Sequence, residues 1–448
     1  MTLQGRVRVA LQKTPLEQSG GVFRFWSAQH SVCDIHAKFA TLRYSEHHDP
    51  KYNPAMNPSA TLVAPASARS LAAKATAAAS LSVSVLTIAE LGADVALVAE
   101  WDALASQASE PNPFGERWYL QAALDALGSD DVRLAVVRND VLIGIMPLIA
   151  QRRYAGLPVA HVQNWLNHNA FLGTPLVRKG AERDFWAALL GQLDNAPDSG
   201  FFLHLAGIAI SGPVAAALGA VCLAENRRFA LVHREERALL EHGLSPAAYW
   251  EATVRSKKRK ELRRQHKRLA EEGALTFERS DVTNGLDRWI ENFLALEKAG
   301  WKGVKGSALD CANETRALFS NALHGAAAAG KLELLAHYLD GRPIAMLANF
   351  ITPPAAFSFK TAFDEDYARF SPGVLLQYEN LVLLERNGIE YCDSCAAQDH
   401  PMIDSLWSGR RAIGRYSVAI GGKVKRAAFA ALLTAEKAKA KLKNRTKT

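Results

Sequence analysis

Three consecutive residues in the second half of the chain, Ser371-Pro372-Gly373, combine the properties of a helix start and an anion site. Serine is favoured at the N-cap and proline at the first helical position. A glycine at the second position has no side chain, so an anion can reach the backbone N–H groups of the first turn, where the helix dipole also attracts it. The spacing therefore predicts a phosphate-binding turn in front of a helix.

Two carboxylates near this turn are candidates for proton transfer. Asp364 follows a predicted strand over 356–363, and Asp393 lies in a predicted strand over 390–394. A carboxylate can accept a proton as a general base. The alternative roles are a solvated turn residue for Asp364 and a strand-end hydrogen-bond acceptor for Asp393.

Cys392-x-x-Cys395 is the other pattern that could carry chemistry. A single CxxC without a second pair is a weak zinc or redox signal. Residues three apart on a strand also face opposite sides of the sheet. We therefore predict no metal site. The chain contains no P-loop, no dinucleotide GxGxxG and no GxSxG elbow.

Composition limits the class of protein. The chain has 448 residues, of which 49% are hydrophobic and 22% charged, which is typical of globular proteins. It has no apolar run of the roughly 18 residues that a membrane helix needs, and no N-terminal signal-peptide pattern. Five cysteines are too few for a disulfide framework. These features predict a soluble, cytoplasmic protein.

Positive charge is concentrated in two segments. Residues 255–269 contain nine Lys/Arg and one Glu, a charge of +8, and residues 423–448 contain the same numbers. Because the whole chain carries +8, the remainder carries about −8 (8 − 16). The first segment is interpreted as a solvated helix or as a contact for a polyanion such as RNA. The second is a basic helical tail that frays, either solvated or in weak contact with an anionic membrane surface.

An internal repeat predicts two similar lobes. The hairpin over 134–148 aligns with the hairpin over 334–347, about 200 residues later, and the turn Asn139-Asp140 matches Asp340-Gly341. We predict a disordered extension over 1–80, a first lobe over 81–240, a second lobe over 241–422 and a basic tail over 423–448.

The second lobe contains a long predicted basic helix, over 246–272, and three predicted strands, over 332–339, 342–351 and 356–363. The Ser-Pro-Gly helix, over 374–386, follows them. This order resembles the GNAT acetyltransferase superfamily, and more narrowly the bacterial CelD-like acetyltransferases of cellulose biosynthesis, which are related to the Fem peptidyltransferases. The stretches that carry the resemblance are RSKKRKELRRQHKRLAEEGALTFE, GKLELLAHYLDGRPIAML and DEDYARFSPGVLLQYENL.

The resemblance implies an α+β (mixed α/β) fold of twin GNAT-like lobes, each a mostly antiparallel sheet flanked by helices. It also implies an acyl-CoA co-substrate, such as acetyl-CoA, whose pyrophosphate binds the second lobe. The residues at the family's phosphate turn are Arg369, Phe370, Ser371, Pro372, Gly373, Val374 and Leu375.

Within the resemblance, Asp393 matches an acidic position on the strand after the cofactor helix. The family often has a lysine shortly after this position, but here the stretch reads AAQDHPMIDSLW. Backbone N–H groups around 358–361 are candidates for stabilising the oxyanion. The first lobe lacks a Ser-Pro-Gly cap, so we expect one cofactor site, with the acceptor between the lobes.

The leading hypothesis is an N- or O-acyltransferase that transfers directly from acyl-CoA to a small molecule or a saccharide of exopolysaccharide biosynthesis. One alternative is a Fem-like aminoacyl transferase that uses charged tRNA and contacts it through the basic helix. The other is a non-catalytic, twin-lobe binding protein.

Overall fold

The computed structural model describes residues 81–281 and 284–445, so the predicted extension over 1–80 lies outside the described residues. Among the described residues, one compact unit extends to Lys437 and contains both predicted lobes.

The mixed α/β fold predicted from the sequence is confirmed, and the described residues of the first half, from 81 onward, form seven strands. The strands are β1 (Ser82–Leu86), β2 (Val132–Arg138), β3 (Leu142–Gln151), β4 (His161–Asn164), β5 (Leu176–Val177), β6 (Phe202–Ala209) and β7 (Phe229–Glu241). The helices are α1 (Ile88–Ala93), α2 (Val95–Ser106), α3 (Arg117–Leu127), α4 (Glu182–Asn195) and α5 (Pro213–Ala224).

The second half repeats this order of elements. Its strands are β8 (Leu275–Ser280), β9 (Leu332–Leu339), β10 (Arg342–Thr352), β11 (Ala355–Phe363), β12 (Tyr391–Asp393) and β13 (Gly409–Ala419). Its helices are α6 (Pro246–Thr253), α7 (Ser256–Glu271), α8 (Leu286–Ala299), α9 (Trp301–Val304), α10 (Asn313–Ala328), α11 (Pro372–Glu379) and α12 (Lys423–Arg445). Short 3-10 turns span Pro113–Gly115, Leu309–Cys311, Glu365–Phe370, Asn380–Glu385 and Ile403–Ser405.

Each half builds a mostly antiparallel set of strands with one parallel pair. The orders β1-β2-β3-β4-β6 and β8-β9-β10-β11-β12 are equivalent, and the parallel pairs are β4 with β6 and β11 with β12. The repeated hairpins β2-β3 and β9-β10 are both present, as predicted. In the second hairpin, Asp340 (φ 51°) and Gly341 (φ 77°) have positive φ, as a type I′ turn requires.

The last strand of each half lies beside the other half. β7 pairs with β12 of the second half, β13 pairs with β6 of the first half, and β7 and β13 pair with each other. The two lobes therefore share one 13-stranded sheet, in the order β1-β2-β3-β4-β6-β13-β7-β12-β11-β10-β9-β8, with β5 on β3. The lobe boundary proposed at 240/241 falls at the end of β7, inside this exchange.

The sequence reading missed β7. The middle of this strand reads His233-Arg-Glu-Glu236, and a run of charges indicates a solvated loop more readily than a central strand. The charged side chains of residues 233–236 are exposed or half-buried, while Arg237, Ala238 and Leu240 near the end of the strand are buried. The neighbouring strand β13 is also longer than the predicted segment near 415–420.

The largest apolar core lies between the halves. Helix α3 packs against α10, and the core includes Phe114, Tyr119, Phe319 and Phe350, all buried. Phe350 and Phe359 stack with ring centroids 4.4 Å apart. Burial of this shared apolar surface holds the halves together as one unit.

The predicted long basic helix is two helices. Val254 is extended (φ −91°, ψ 123°) and buried, and this separates α6 from α7. Leu262 and Leu269, the thin apolar stripe of α7, pack against Phe370 and Leu375 at the start of α11. The basic helix is therefore anchored beside the predicted phosphate turn.

The C-terminal helix α12 is docked at its beginning, whereas the sequence favoured a solvated tail that frays. Phe429 and Leu433 are buried, and the Phe429 ring stacks on Phe202 with centroids 5.2 Å apart. Arg426 bonds Asp194 at 2.7 Å. Apolar burial at Phe429 and Leu433 supplies the anchor that a solvated tail would lack.

Candidate active site

The strands β11 and β12 diverge after three residues. Their parallel pairing runs from Ala355/Tyr391 to Phe357/Asp393, whereas β11 continues to Phe363. The backbone of β11 from Ser358 onward therefore borders a gap on its β12 side and pairs with β10 on the other side. The N–H groups predicted to stabilise an oxyanion, around residues 358–361, lie on this segment.

Helix α11 begins at Pro372, the proline predicted for the first helical position, but it is not capped as predicted. Ser371 is in the left-handed region (φ 54°, ψ 50°), and its side chain forms no capping hydrogen bond. An N-cap side chain reaches the first turn from an extended backbone, and this conformation directs it elsewhere. The backbone carbonyl of Ser371 instead accepts from the N–H groups of Val374 (2.9 Å) and Leu375 (3.1 Å).

Gly373 is buried, and the space beside it is occupied. A Cβ at this position would lie 3.3 Å from Phe363 Cδ1 and 3.5 Å from Met402 Sδ. The glycine therefore allows close packing of α11, in addition to the anion access that the sequence suggested. Because Pro372 has no N–H and those of Val374 and Leu375 bond Ser371, Gly373 carries the remaining amide of the first turn.

Buried amide side chains tie α11 to the sheet. Gln377 donates to the Ser358 hydroxyl at 3.2 Å, and Asn380 bonds Gln377 (3.2 Å) and Asn349 (2.7 Å). At Asn380 the α-helix becomes a 3-10 turn, so the helix ends earlier than the predicted 374–386. Glu333 extends the network, accepting from Asn349 at 2.9 Å.

Arg369 and the basic helix border the turn. Arg369 is exposed, forms an ion pair at 3.0 Å with Glu272, the residue after the end of α7, and lies over the Phe370 ring at 4.5 Å. Gln265 of α7 donates to the Arg369 carbonyl at 3.1 Å. Sequence reasoning placed α7 between the lobes as a solvated or RNA-binding helix and missed this contact, because it depends on tertiary packing.

Asp393 is buried among cations. Its carboxylate accepts from Arg237 of β7 (2.6 Å), Arg411 of β13 (2.7 Å) and the Cys395 amide (2.9 Å). Burial raises the pKa of Asp393, but the Arg237 and Arg411 guanidiniums outweigh burial and hold this pKa below its ordinary value. A carboxylate in this setting stays ionised and binds three donors, which is the hydrogen-bond-acceptor role.

Asp364 lies at the end of β11, where its carboxylate accepts from the Asp366 amide at 3.0 Å and caps the 3-10 turn over Glu365–Phe370. The two predicted carboxylates therefore have separate structural roles. The base assignments for Asp364 and Asp393 stay predictions.

Lys360 is the titratable group that the sequence reading missed. It lies on β11 in the diverging segment, and its ammonium bonds Asn169 of the first half at 2.8 Å. The ammonium also lies over the Phe171 ring (5.0 Å) and the Phe359 ring (5.6 Å). Burial and the nearby Lys302 lower the pKa of Lys360 to about 8. The signal was a lone cation in the apolar strand sequence AAFSFKTAF.

The equivalent gap in the first half is closed. Asn164, at the end of β4, accepts from the Ala206 amide (2.8 Å) and donates to the Ala206 and Gly173 carbonyls (2.8 and 3.0 Å). The Gly173 amide bonds Gly207. The first half therefore fills its own divergence with hydrogen bonds from the protein. The single cofactor site expected in the second lobe stays a prediction.

Cys392 and Cys395 are buried and belong to different apolar clusters. The strand β12 ends at Asp393, so Cys395 (φ 53°) lies beyond it and not on the predicted strand. Burial raises the pKa of both thiols, which keeps them protonated. Within residues 81–281 and 284–445, no three His, Cys, Asp or Glu side chains are arranged to hold a metal ion. The helices of this part of the chain include none that is long and apolar enough to span a membrane.

The diverging strands, the helix start and the basic helix lie in one stretch of sequence. Residues 256–400 match the family model described as acetyltransferase (GNAT) domain. This match supports an acyltransferase. No curated protein sequence matches the chain.

Several solved structures are similar to the chain. FemX is 13% identical, over 71% of this chain and 95% of its own, with a TM-score of 0.46. A tandem GNAT protein from the clavulanic acid biosynthesis pathway is 17% identical, over 77% and 100%, with a TM-score of 0.40. The C-terminal domain of a putative lysylphosphatidylglycerol synthetase from Agrobacterium fabrum is 15% identical, over 74% and 94%, with a TM-score of 0.43. Similarity at this level says nothing about the substrate.

The left-handed conformation of Ser371 predicts that glycine at this position stabilises the fold and that alanine has little effect. Ser371→Gly should raise the free energy of unfolding by about 0.5–1 kcal/mol, because a Cβ in the left-handed region costs about 1–2 kcal/mol. Ser371→Ala should change it by less than about 0.5 kcal/mol, because no capping bond is lost. Urea unfolding measures both values. A loss of about 1 kcal/mol in Ser371→Ala would indicate a capping serine instead.

The buried cluster around Asp393 predicts a large loss of stability when this carboxylate is replaced by an amide of the same size. Asp393→Asn should lower the free energy of unfolding by about 3 kcal/mol or more, because Arg237 and Arg411 are left without a buried counter-charge. Asp364→Asn is the matched control, and it should change stability by less than about 0.5 kcal/mol because asparagine also caps turns.

The stability difference between wild type and Asp393→Asn should depend on pH in a direction that the pKa of Asp393 sets. The folded-state pKa of Asp393 lies below the unfolded value of about 3.8, so its contribution is complete above that pH and is lost as the pH falls through the folded value. The stability gap between wild type and Asp393→Asn should be flat from pH 8 to pH 5 and narrow only in stronger acid. Equal stability of the two proteins at pH 7 would contradict the structural role.

Proposed function

We propose that the protein is an acyl-CoA-dependent acyltransferase that transfers an acyl group, with acetyl the first candidate, directly to an amine or a hydroxyl. The observation that carries this proposal is the divergence of β11 and β12 beside the start of α11, inside the segment that matches the GNAT model. A thioester can enter the gap between the strands while its phosphates bind at the helix start.

The donor is held by backbone and by charge. The Gly373 amide and the positive end of α11 face the pyrophosphate, and the exposed Arg369 guanidinium adds a cation. The acyl carbonyl then lies along β11, where N–H groups of residues 358–361 stabilise the oxyanion that forms on attack. These assignments leave Asp393 as the residue that fixes the strands around the gap.

Lys360 is proposed as the proton acceptor. With a pKa of about 8, about a tenth of its side chains are neutral at pH 7. The neutral amine accepts the proton of the attacking acceptor as the new bond to the acyl carbon forms. The C–S bond then breaks, CoA leaves as a thiolate, and the proton on Lys360 is available to it.

The acceptor lies between the lobes in this proposal. Asn169 and Phe171 come from the first half and contact Lys360 of the second half, so both halves border the same place. Aromatic rings and an amide beside a lysine suit an acceptor with both apolar and polar faces, including a saccharide. The link to exopolysaccharide biosynthesis rests on the CelD-like resemblance.

An aminoacyl-tRNA donor is the second candidate, and the surface of α7 favours it. Lys257, Lys260, Arg263 and Lys267 are exposed, and none forms an ion pair with a described residue. Such a surface attracts a polyanion with an affinity that falls steeply as salt rises.

Donor binding is tested by thermal unfolding with acetyl-CoA. At a concentration about 100-fold above Kd, a bound ligand stabilises the fold by about 2.7 kcal/mol, which shifts Tm by several degrees. The shift should disappear in Gly373→Glu and shrink in Arg369→Glu, because both place a carboxylate at the phosphate turn. Gly191→Glu, on α4 where a Cβ meets open space, is the matched control and should keep the shift.

The same assay separates the candidates. If acetyl-CoA causes no shift in Tm and charged tRNA binds with an affinity that falls as salt rises, the aminoacyl donor is favoured. If neither donor binds, a non-catalytic binding protein is favoured. Arg369→Glu keeps the test valid if Gly373→Glu unfolds, since Arg369 is exposed.

The role of Lys360 is tested by pH. Competitive labelling with acetic anhydride, read by mass spectrometry, should give half-maximal reactivity of Lys360 near pH 8. The exposed Lys305 is labelled in the same samples as the internal reference. Acyl transfer to a panel of amines and saccharide fragments should rise with pH through the same range, because the neutral lysine is the active form.

Lys360→Met should remove this alkaline rise and lower kcat about 10²- to 10⁴-fold, the range for a lost general base. Lys305→Met is the control, with an unchanged profile. If the rate of acyl transfer by Lys360→Met still rises with pH through this range, another group accepts the proton.

A further inference from the structure

A groove of about 440 Å³ opens between the basic helix α7 and the residues just before α11. The volume falls within the range of small-molecule sites, about 300–1,000 Å³. The groove is lined by Arg264, Gln265, Arg268, Glu271, Glu272, Arg369 and Phe370. Because Arg369 and Phe370 directly precede Ser371, the groove begins where the proposed pyrophosphate site ends.

The cations of this groove are available to a ligand. Arg264 and Arg268 are one helical turn apart and share a face of α7, and Arg369 faces them from the other side. Arg264 and Arg369 pair with Glu261 (2.5 Å) and Glu272 (3.0 Å), but both pairs are exposed. Exposed ion pairs are weak, so a phosphate can replace them. Arg268 forms no ion pair within the described part of the chain.

The mixture of charges favours a nucleotide over a simple anion. Three arginines suit a phosphate monoester, which carries a charge of about −2 near pH 7. Glu271 also lines the groove and forms no ion pair with a described residue. A carboxylate repels a phosphate but accepts from the exocyclic amine of adenine. A ligand with one phosphate and one amino-substituted base therefore matches the lining.

We propose that this groove binds the adenosine 3′-phosphate end of acyl-CoA, with Arg268 and Arg264 bonded to the 3′-phosphate and Glu271 near the adenine amine. The proposal rests on the proposed acyl-CoA donor. It gives the basic helix a role in donor selection: acyl thioesters that carry the 3′-phosphate are preferred over those that lack it.

Isothermal titration with CoA and with 3′-dephospho-CoA tests this at constant ionic strength. The wild type should bind CoA at least about 10-fold more tightly, the equivalent of one charge-assisted hydrogen bond. Arg268→Gln should weaken CoA binding about 10-fold and leave 3′-dephospho-CoA binding within about twofold, so that the preference is lost. Arg263→Gln makes the same charge change on α7 outside the groove and should preserve the preference.

Each other result has a distinct meaning. Equal binding of CoA and 3′-dephospho-CoA by the wild type overturns the groove assignment and leaves the proposed function standing. An equal loss for both ligands in Arg268→Gln, or a matching loss of preference in Arg263→Gln, also overturns it. Binding of neither ligand removes the acyl-CoA donor and the groove assignment together. Unliganded Tm values within about 1 °C of wild type show that these exposed substitutions leave the fold intact.

Discussion

Three strands from both halves of the chain meet at one buried carboxylate. Asp393 of β12 bonds Arg237 of β7 and Arg411 of β13, so the exchanged strands are held where the halves join. Burying two guanidiniums is unfavourable unless a counter-charge and good geometry accompany them. Asp393 is also the last residue of β12 that pairs with β11. The point at which the candidate site opens is therefore fixed by the same ion cluster that closes the sheet.

The two halves use the same divergence of parallel strands in opposite ways. Backbone groups along such a gap need hydrogen-bond partners. In the first half, Asn164 and the segment around Gly173 supply them from the protein itself. In the second half, the pairing stops at Phe357 and the chain after Asp393 turns away. One copy of the repeat thus acts as a scaffold, and its loop at Asn169 and Phe171 reaches the other copy's site.

The basic side chains near this site differ in how deeply they are buried. Lys360 lies in the half-buried gap, where poor solvation favours its neutral form. The arginines of α7 and Arg369 are at the surface, where they stay charged and face a groove. A buried amine suits proton transfer, and exposed guanidiniums suit phosphate recognition. The Leu262 and Leu269 contacts keep the basic helix beside the turn.

The sequence alone determined the mixed α/β class, the repeated hairpins, the strands of the second half and the start of α11, because local patterning and turn chemistry specify these features. It misjudged β7, whose charged middle suits a surface loop, and the cap at Ser371, whose backbone conformation is set by packing. Only the tertiary structure decided that the last strands exchange, that Asp393 bonds two arginines, and that Lys360 meets Asn169. Arg237 and Asp393 are 156 positions apart, and Asn169 and Lys360 are 191 apart. Pairing over such distances depends on how whole elements pack, which local patterns do not encode.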